Sequence, residues 1–311
     1  MPARKPIVVV GSINQDLVVV APEIPLAGQT VIGGDFQVHP GGKGANQAVA
    51  VARLGYPVHM IGRLGNDAVG AQMRAHLEQA RVNTTAIAAS QGASGVALIV
   101  VSAKGENSIV VAPGANSKLT PPDIDSNLAL IKDAGVVLAQ LEIPLETVER
   151  LAETCARENV PLILDPAPAR ELPASLLQRV AWFTPNETEA AFYLNQLAGN
   201  KQSSEPADIA RALLAKGCRG VVLKMGSRGA YLAMQEGQGE VLQAFPVRAV
   251  DSTAAGDAFN GAFAVGLMLG KSPRESAVFA SAVAAISVTR RGAQTSMPTM
   301  NEVEQFVNDR V

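Results

Sequence analysis

Four short apolar runs constrain this chain most: "IVVVG" at 7–11, "VVLAQ" at 136–140, "PLILDP" at 161–166 and "GVVLKMG" at 220–226. None alternates with polar residues, so each suits a strand covered on both faces, as in parallel sheets. Helical patterns lie between them: "GANQAVAVARLG", "DAVGAQMRAHLEQA", "PLETVERLAETCAREN" and "EPADIARALLAKG". Leu54-Gly55 and Lys216-Gly217 read as helix ends. This alternation predicts an α/β fold: an open, mostly parallel sheet with helices on both faces. We expect a single such domain over 1–311.

Two segments break the rhythm. Residues 16–42 hold strand-like pieces and no helix, and 94–116 read as a hairpin turning near "AKGEN". They predict a small β-sheet lid built from insertions over about 16–40 and 94–114. Its apolar alternation leaves a face to close over a ligand or to pair with a second subunit. "AGNKQSSEP" at 198–206 is the clearest polar surface loop.

Composition excludes several classes. With net charge −2, 17% charged and 4% aromatic residues, and no basic run with interleaved aromatics, the chain does not read as a nucleic-acid binder. The apolar run Ile7–Val10 is too short for a signal peptide and meets Asn14 and Asp16 at once. "GAFAVGLMLG" and "AVFASAVAAISV" fall short of the roughly 18 residues of a spanning helix. No membrane association is expected. Cys155 and Cys218 are isolated, which fits a reducing cytoplasm, and His39, His59 and His76 lack metal-ligand spacing.

The chemistry-bearing stretches are few. "DSTAAGDAFNG" at 251–261 puts small residues and a carboxylate where a helical pattern begins. The N–H groups of Ala255, Gly256 and Asp257 can converge there on an anion, and Asp257 can take a proton from an attacking hydroxyl. A bare helix cap is the plainer alternative. "PGGKGANQ" at 40–47 pairs glycines with Lys43 and Asn46 in a first helical turn, compatible with close ligand approach or with a flexible capped loop. "GSINQD" at 11–16 closes the first apolar run, where open α/β sheets bind ligands; Asn14 and Asp16 suit vicinal hydroxyls, or a plain turn. "TPNETE" at 184–189 reads as a helix cap or as part of a metal–nucleotide site, and "KMGSRGA" at 224–230 as a turn or a nucleotide wall. "GLMLGKS" at 266–272 lacks the P-loop glycine, since Val265 stands there, and reads as a helix C-terminus before Pro273.

In this order the motifs resemble the ribokinase family of carbohydrate kinases over nearly the whole chain, from "GSINQD" to "TRRGAQTS". Both signatures of that family have counterparts, around "GGKGAN" and in "DSTAAGDAFNG". The resemblance implies an ATP-dependent kinase moving the γ-phosphate to the 5-hydroxyl of D-ribose, giving ribose 5-phosphate. Kinases for 2-deoxyribose, fructose or a nucleoside, and a non-catalytic sugar-binding regulator, are the alternatives. By the same resemblance Asn14, Asp16, Gly42, Lys43, Asn46 and Glu142 hold the sugar, and Asp257 is the catalytic base beside Ala255 and Gly256. Asn186, Lys224, Gly226, Ser227, Arg228, Gly229, Gly256 and Ser281 line the nucleotide, with Glu189 near the Mg2+ shell. Asp251, Thr253, Ser287, Arg290, Gly292 and Ser296 match a K+ loop, several of them through backbone carbonyls. A homodimer through the β lid is implied as well.

Overall fold

The computed structural model describes residues 4–195 and 205–310. The polar loop expected at 198–206 lies outside these residues up to 204, and a helix begins at Pro206. In chain order the strands are β1 (Ile7–Val10), β2 (Asn14–Ala21), β3 (Phe36–Gly41), β4 (Val58–Gly65), β5 (Ile87–Ser90), β6 (Gly95–Ser102) and β7 (Asn107–Ala112). There follow β8 (Val136–Ala139), β9 (Leu162–Leu164), β10 (Trp182–Phe183), β11 (Gly220–Lys224), β12 (Ala230–Met234) and β13 (Glu240–Leu242).

Nine of these form one sheet in the order β13-β12-β11-β10-β9-β8-β1-β4-β5. From β11 to β5 every pairing is parallel, and only the β11–β12 and β12–β13 pairings are antiparallel. The apolar runs behave as parallel strands should. In β1, Ile7 and Val9 enter one core and Val8 and Val10 the other, and all four are fully buried. One face is covered by helices that include Lys43–Arg53, Ala255–Met268 and Pro273–Ser287, the other by helices that include Leu145–Arg157 and Pro206–Leu214. β4, with Gly62, Arg63 and Gly65 in its second half, does not stand out as an apolar run.

Strand order reverses at β1. From β1 the chain steps to β4 and β5 on one side; β8, β9, β10 and β11 then follow on the other. The crevice beyond the carboxyl ends of β1 and β8 is thus the switch point where ligands of open α/β sheets bind.

The remaining strands form a separate sheet, β3-β2-β6-β7, from the two segments expected to build the lid. One boundary differs from expectation. Asn14 and Asp16 do not end the first core strand, which stops at Val10; they open β2, so pairing in the small sheet starts at Asn14. Gly11–Ile13 carries the chain between the sheets. The hairpin turns where expected, with Gly105 at φ 83° between β6 and β7.

Two helices cross closely beneath the switch point. A methyl group on Gly261 would lie 2.7 Å from Ala50 Cβ and 2.9 Å from the Gln47 carbonyl oxygen. This contact sets how near Ala255–Met268 comes to Lys43–Arg53. Overpacking a tight core contact costs about 1–3 kcal/mol, so Gly261→Ala should melt several degrees below the parent. An unchanged melting temperature would show that the crossing does not depend on glycine.

Candidate functional site

Successive strands deliver the site residues from their carboxyl ends. After β1 come Ser12 and Asn14, after β8 Gln140 and Glu142, and after β9 Asp165. After β10 comes Asn186, and β11 ends in Lys224 itself. The helices Lys43–Arg53 and Ala255–Met268 then bring Lys43, Asn46, Gln47 and Asp257 to the same crevice. A cavity of about 790 Å³ opens there; Lys43, Asp165, Gly256 and Asp257 lie on its wall.

Asp257 is buried, with 4% of its surface exposed. Its Oδ2 accepts from Asn46 Nδ2 at 3.0 Å and its Oδ1 from Gln47 Nε2 at 3.1 Å. Burial pushes its carboxyl up to about 6; Lys43 opposes that, Asp165 adds to it, and the two amides oppose it. The group is therefore ionised at neutral pH and basic enough to take a proton.

The loop before the helix is bent by Ala254, a non-glycine residue in the left-handed region at φ 58°, ψ 14°. The expected nest of three N–H groups needs one correction. The Ala255 N–H is already bonded to the Ser252 carbonyl at 3.2 Å, closing a turn. Helix geometry leaves the N–H groups of Gly256 and Asp257 for an anion, since the first intrahelical bond is Ala258 N–H to the Ala254 carbonyl. The Lys224 ammonium stands close by: a methyl group on Gly256 would lie 3.3 Å from Nζ.

No motif singled out Asp165. It is 2% exposed, paired with Lys224 Nζ at 3.0 Å, and joined to Gln47 Nε2 at 3.0 Å. One amide nitrogen thus holds Asp165 and Asp257 together, while Gln140 Nε2 fixes that amide by donating to Gln47 Oε1 at 2.7 Å. The available signal was position, a carboxylate just past a buried strand.

On the side toward the small sheet, Glu142 Oε2 accepts from Ser12 Oγ at 2.5 Å and from the Lys43 N–H at 3.1 Å. Asn14 Oδ1 accepts from Asn116 Nδ2 at 2.7 Å. Gly42 has φ 88°, and a side chain there would strike the backbone of Ser12, Ile13 and Asn14. That close approach holds the helix start against the β1–β2 crossing. Burial raises the Asp16 carboxyl to about 7, with Glu142 and Asp257 adding and Lys43 opposing. Burial lowers Lys43, but Asp257, Asp165, Glu142 and Glu189 outweigh it and hold the ammonium above its usual value.

The opposite wall carries Asn186, Glu189, Lys224, Gly226, Ser227, Gly229 and Ser281. Arg228 is the exception: it does not line the cavity, and its guanidinium pairs with Glu187. Asn186 and Glu189 cap the helix Glu187–Asn195 reciprocally, Asn186 N–H to Glu189 Oε2 and Glu189 N–H to Asn186 Oδ1, both at 2.8 Å. Burial pushes the Glu189 carboxyl above its usual range, against the pull of Lys224. Ser281 Oγ is bonded back to the Ala277 carbonyl.

Asp251 ties two segments together. Its carboxylate accepts from Thr253 N–H and Oγ1 and from the Gly292 N–H at 2.8 Å. The side chains of Ser287, Arg290 and Ser296 are used locally, bonding the Ala284 carbonyl, Glu302 and the Ala293 carbonyl.

The raised Asp16 carboxyl predicts a pH effect on stability. An unfolded aspartate titrates near its ordinary 3.8, and here the folded one titrates at about 7. Between those values the folded state binds more protons, so stability falls as pH rises. Asp16→Asn should therefore melt above the ligand-free parent beyond about pH 7, and the gap should close below about pH 4. A gap independent of pH would show that Asp16 is not strained by its ionisation.

Residues 4–300 match the pfkB family carbohydrate kinases. The chain is 42% identical to a ribokinase of Bacillus subtilis over 306 residues, covering 97% of this chain and 99% of the relative. It is 41% identical to a ribokinase of Haemophilus influenzae over 305 residues, covering 98% and 99%. A solved ribokinase of Arabidopsis thaliana, complexed with ribose and ATP, superposes with a TM-score of 0.90 at 34% identity, covering 98% of this chain and 99% of that one. A match of this extent makes the chain a member of the pfkB family of carbohydrate kinases.

Proposed function

We propose that the chain transfers the γ-phosphate of ATP to the 5-hydroxyl of D-ribose, giving ribose 5-phosphate. The observation that carries this reading is Asp257: buried, about 6 in pKa, and set in the first turn of a helix whose Gly256 and Asp257 N–H groups face the cavity. Phosphoryl transfer mostly needs positioning and neutralisation of charge. Asp257 takes the hydroxyl proton as the oxygen attacks, and the two N–H groups with Lys43 and Lys224 neutralise the phosphoryl oxygens. Asp16, Asn14, Glu142, Gly42, Lys43 and Asn46 bind the sugar, and the Lys224–Ser281 side of the cavity takes the nucleotide. The similar proteins named ribokinase support ribose as the acceptor and ATP as the donor.

Two cations fit the residues present. Glu189, on the cavity wall, would help hold Mg2+, which would add charge neutralisation at the phosphates. K+ would sit between the 251–253 and 290–296 segments that Asp251 joins, facing backbone carbonyls, and would order the loop that presents the N–H groups.

The small sheet acts as a lid that excludes water from the transfer. Asp16 shares the face of β2 turned to the cleft. On the opposite face Val38, Leu17, Leu98 and Val110 stand in register across all four strands. Phe36, Val38, Leu98 and Val110 are all exposed there, a surface suited to a second copy of the chain. Buried free cysteines fit a reducing compartment such as the cytoplasm. Val110→Asp should halve the apparent mass on size exclusion; an unchanged mass would move the contact elsewhere.

A panel of sugars with ATP, Mg2+ and K+, read as ADP formation, tests the assignment. Asp257→Asn should lower kcat by roughly 10²–10⁴-fold, the loss expected of a general base, with sugar KM little changed. Ribose should exceed 2-deoxyribose by roughly 10–10³ in kcat/KM, because a site bonding a hydroxyl rejects the analogue lacking it. Near-normal turnover by folded Asp257→Asn would end its assignment as base. Equal efficiency on both sugars would remove ribose but not the kinase.

A further inference from the structure

From Asp257 a line of side-chain hydrogen bonds leads out to the protein surface. Asn46 Nδ2 donates to Asp257 Oδ2 at 3.0 Å, Gln294 Nε2 donates to Asn46 Oδ1 at 3.0 Å, and His76 Nε2 meets Gln294 Oε1 at 2.9 Å. Each residue comes from a different element: Ala255–Met268, Lys43–Arg53, the turn Gln294–Ser296 and the helix Ala68–Gln79. Asn46 and Gln294 are buried. His76 is half-buried and lines a second cavity, of about 300 Å³, between its helix and β3.

The sense of every bond is set from the Asp257 end. An ionised carboxylate only accepts, so Asn46 must turn its amino group to Asp257 and its carbonyl away. That carbonyl, buried, needs a donor, which is the Gln294 amino group. The Gln294 carbonyl then needs a donor in turn, and His76 Nε2–H supplies it. Reversing any one link would set acceptor against acceptor or donor against donor in a buried place, which is costly.

We propose that His76 and Gln294 are positioning residues for the transfer reaction. Acting through Asn46, they keep an N–H on Asp257 and so hold the base in one orientation and ionised. The proposal rests on the reading of Asp257 as the base. Gln294 also lies inside the 290–296 segment, so the order of that segment reaches Asp257 by the same route.

The test is steady-state kinetics with ribose and ATP on the parent, Gln294→Ala, Gln294→Glu, His76→Gln, His76→Leu and the double variant His76→Leu with Gln294→Ala. Gln294→Ala should lower kcat about tenfold, the usual scale for a buried group left unpaired, with KM for ATP unchanged. Gln294→Glu should lose more, because Asn46 must then donate to the new carboxylate and turn its carbonyl on Asp257. His76→Gln keeps a donor and should keep kcat, whereas His76→Leu should lose several-fold. The double variant should fall no further than Gln294→Ala alone, since both act on one line. Additive losses, or a His76→Leu protein that turns over like the parent, would overturn the proposal. If the Gln294 variants fail to fold, the contrast between His76→Gln and His76→Leu decides it. A parent inactive on every sugar would count against the proposed function instead, so the two failures are distinct.

Discussion

The site depends on holding several carboxylates at close quarters, two of them, Asp165 and Asp257, buried. Lys43 is their common counter-charge: Asp257, Asp165, Glu142 and Glu189 all act on it, and together they hold its proton against burial. Removing that ammonium would leave buried charge uncompensated, which costs far more than an exposed pair is worth. Lys224 repeats the device on the opposite wall, paired to Asp165. What contacts Asp257 directly is different in kind. Its hydrogen-bond donors are neutral amides, from Asn46 and Gln47. An arginine there would stabilise the anion so strongly that it would cease to be a base. Amides fix the geometry and only partly oppose burial, which raises the carboxyl to about 6.

The fold makes that arrangement possible by burying strands on both faces. Residues past the carboxyl ends of β1, β8, β9 and β10, with the last residue of β11, converge because those strands are neighbours in one parallel array. Helices laid across the same edge supply the amides and the base. The small sheet grows directly out of this edge, since only Gly11–Ile13 separate β1 from β2. Asp16 is therefore carried by the small sheet, not by the core sheet.

How much of this the sequence disclosed follows from where each interaction is made. The buried strands and the helix start at Ala255 were legible because they are local: an unbroken apolar run, or small residues ahead of a carboxylate. The two insertions were legible as strands for the same reason, though the first begins at Asn14 and not at about 16. Interactions across long separations were not. Gln47 meets Asp257 across 210 residues and Gln294 meets Asn46 across 248, and no spacing in the chain announces such partners. Arg228 lies off the cavity because a loop that lines it still has an outer side, and Glu187 was there to hold the guanidinium. The Ala255 N–H misled because a turn can use a donor that a helix end leaves free.

That turn also explains why a strained residue stands at the helix start. An alanine held left-handed costs about 1–2 kcal/mol, a cost glycine would avoid. Glycine would also sample many other conformations before the helix, and the N–H groups of Gly256 and Asp257 would lose their fixed direction. Ala254 is held instead by what surrounds it: the Ala255 N–H bonded to Ser252, the Ala254 carbonyl bonded to Ala258 N–H, and its methyl packed against the core. Strain kept in place by neighbours is how a short loop can present donors without rearranging when charge develops. The donors are then oriented before any phosphate arrives, and the binding energy of the phosphate is not spent on ordering them.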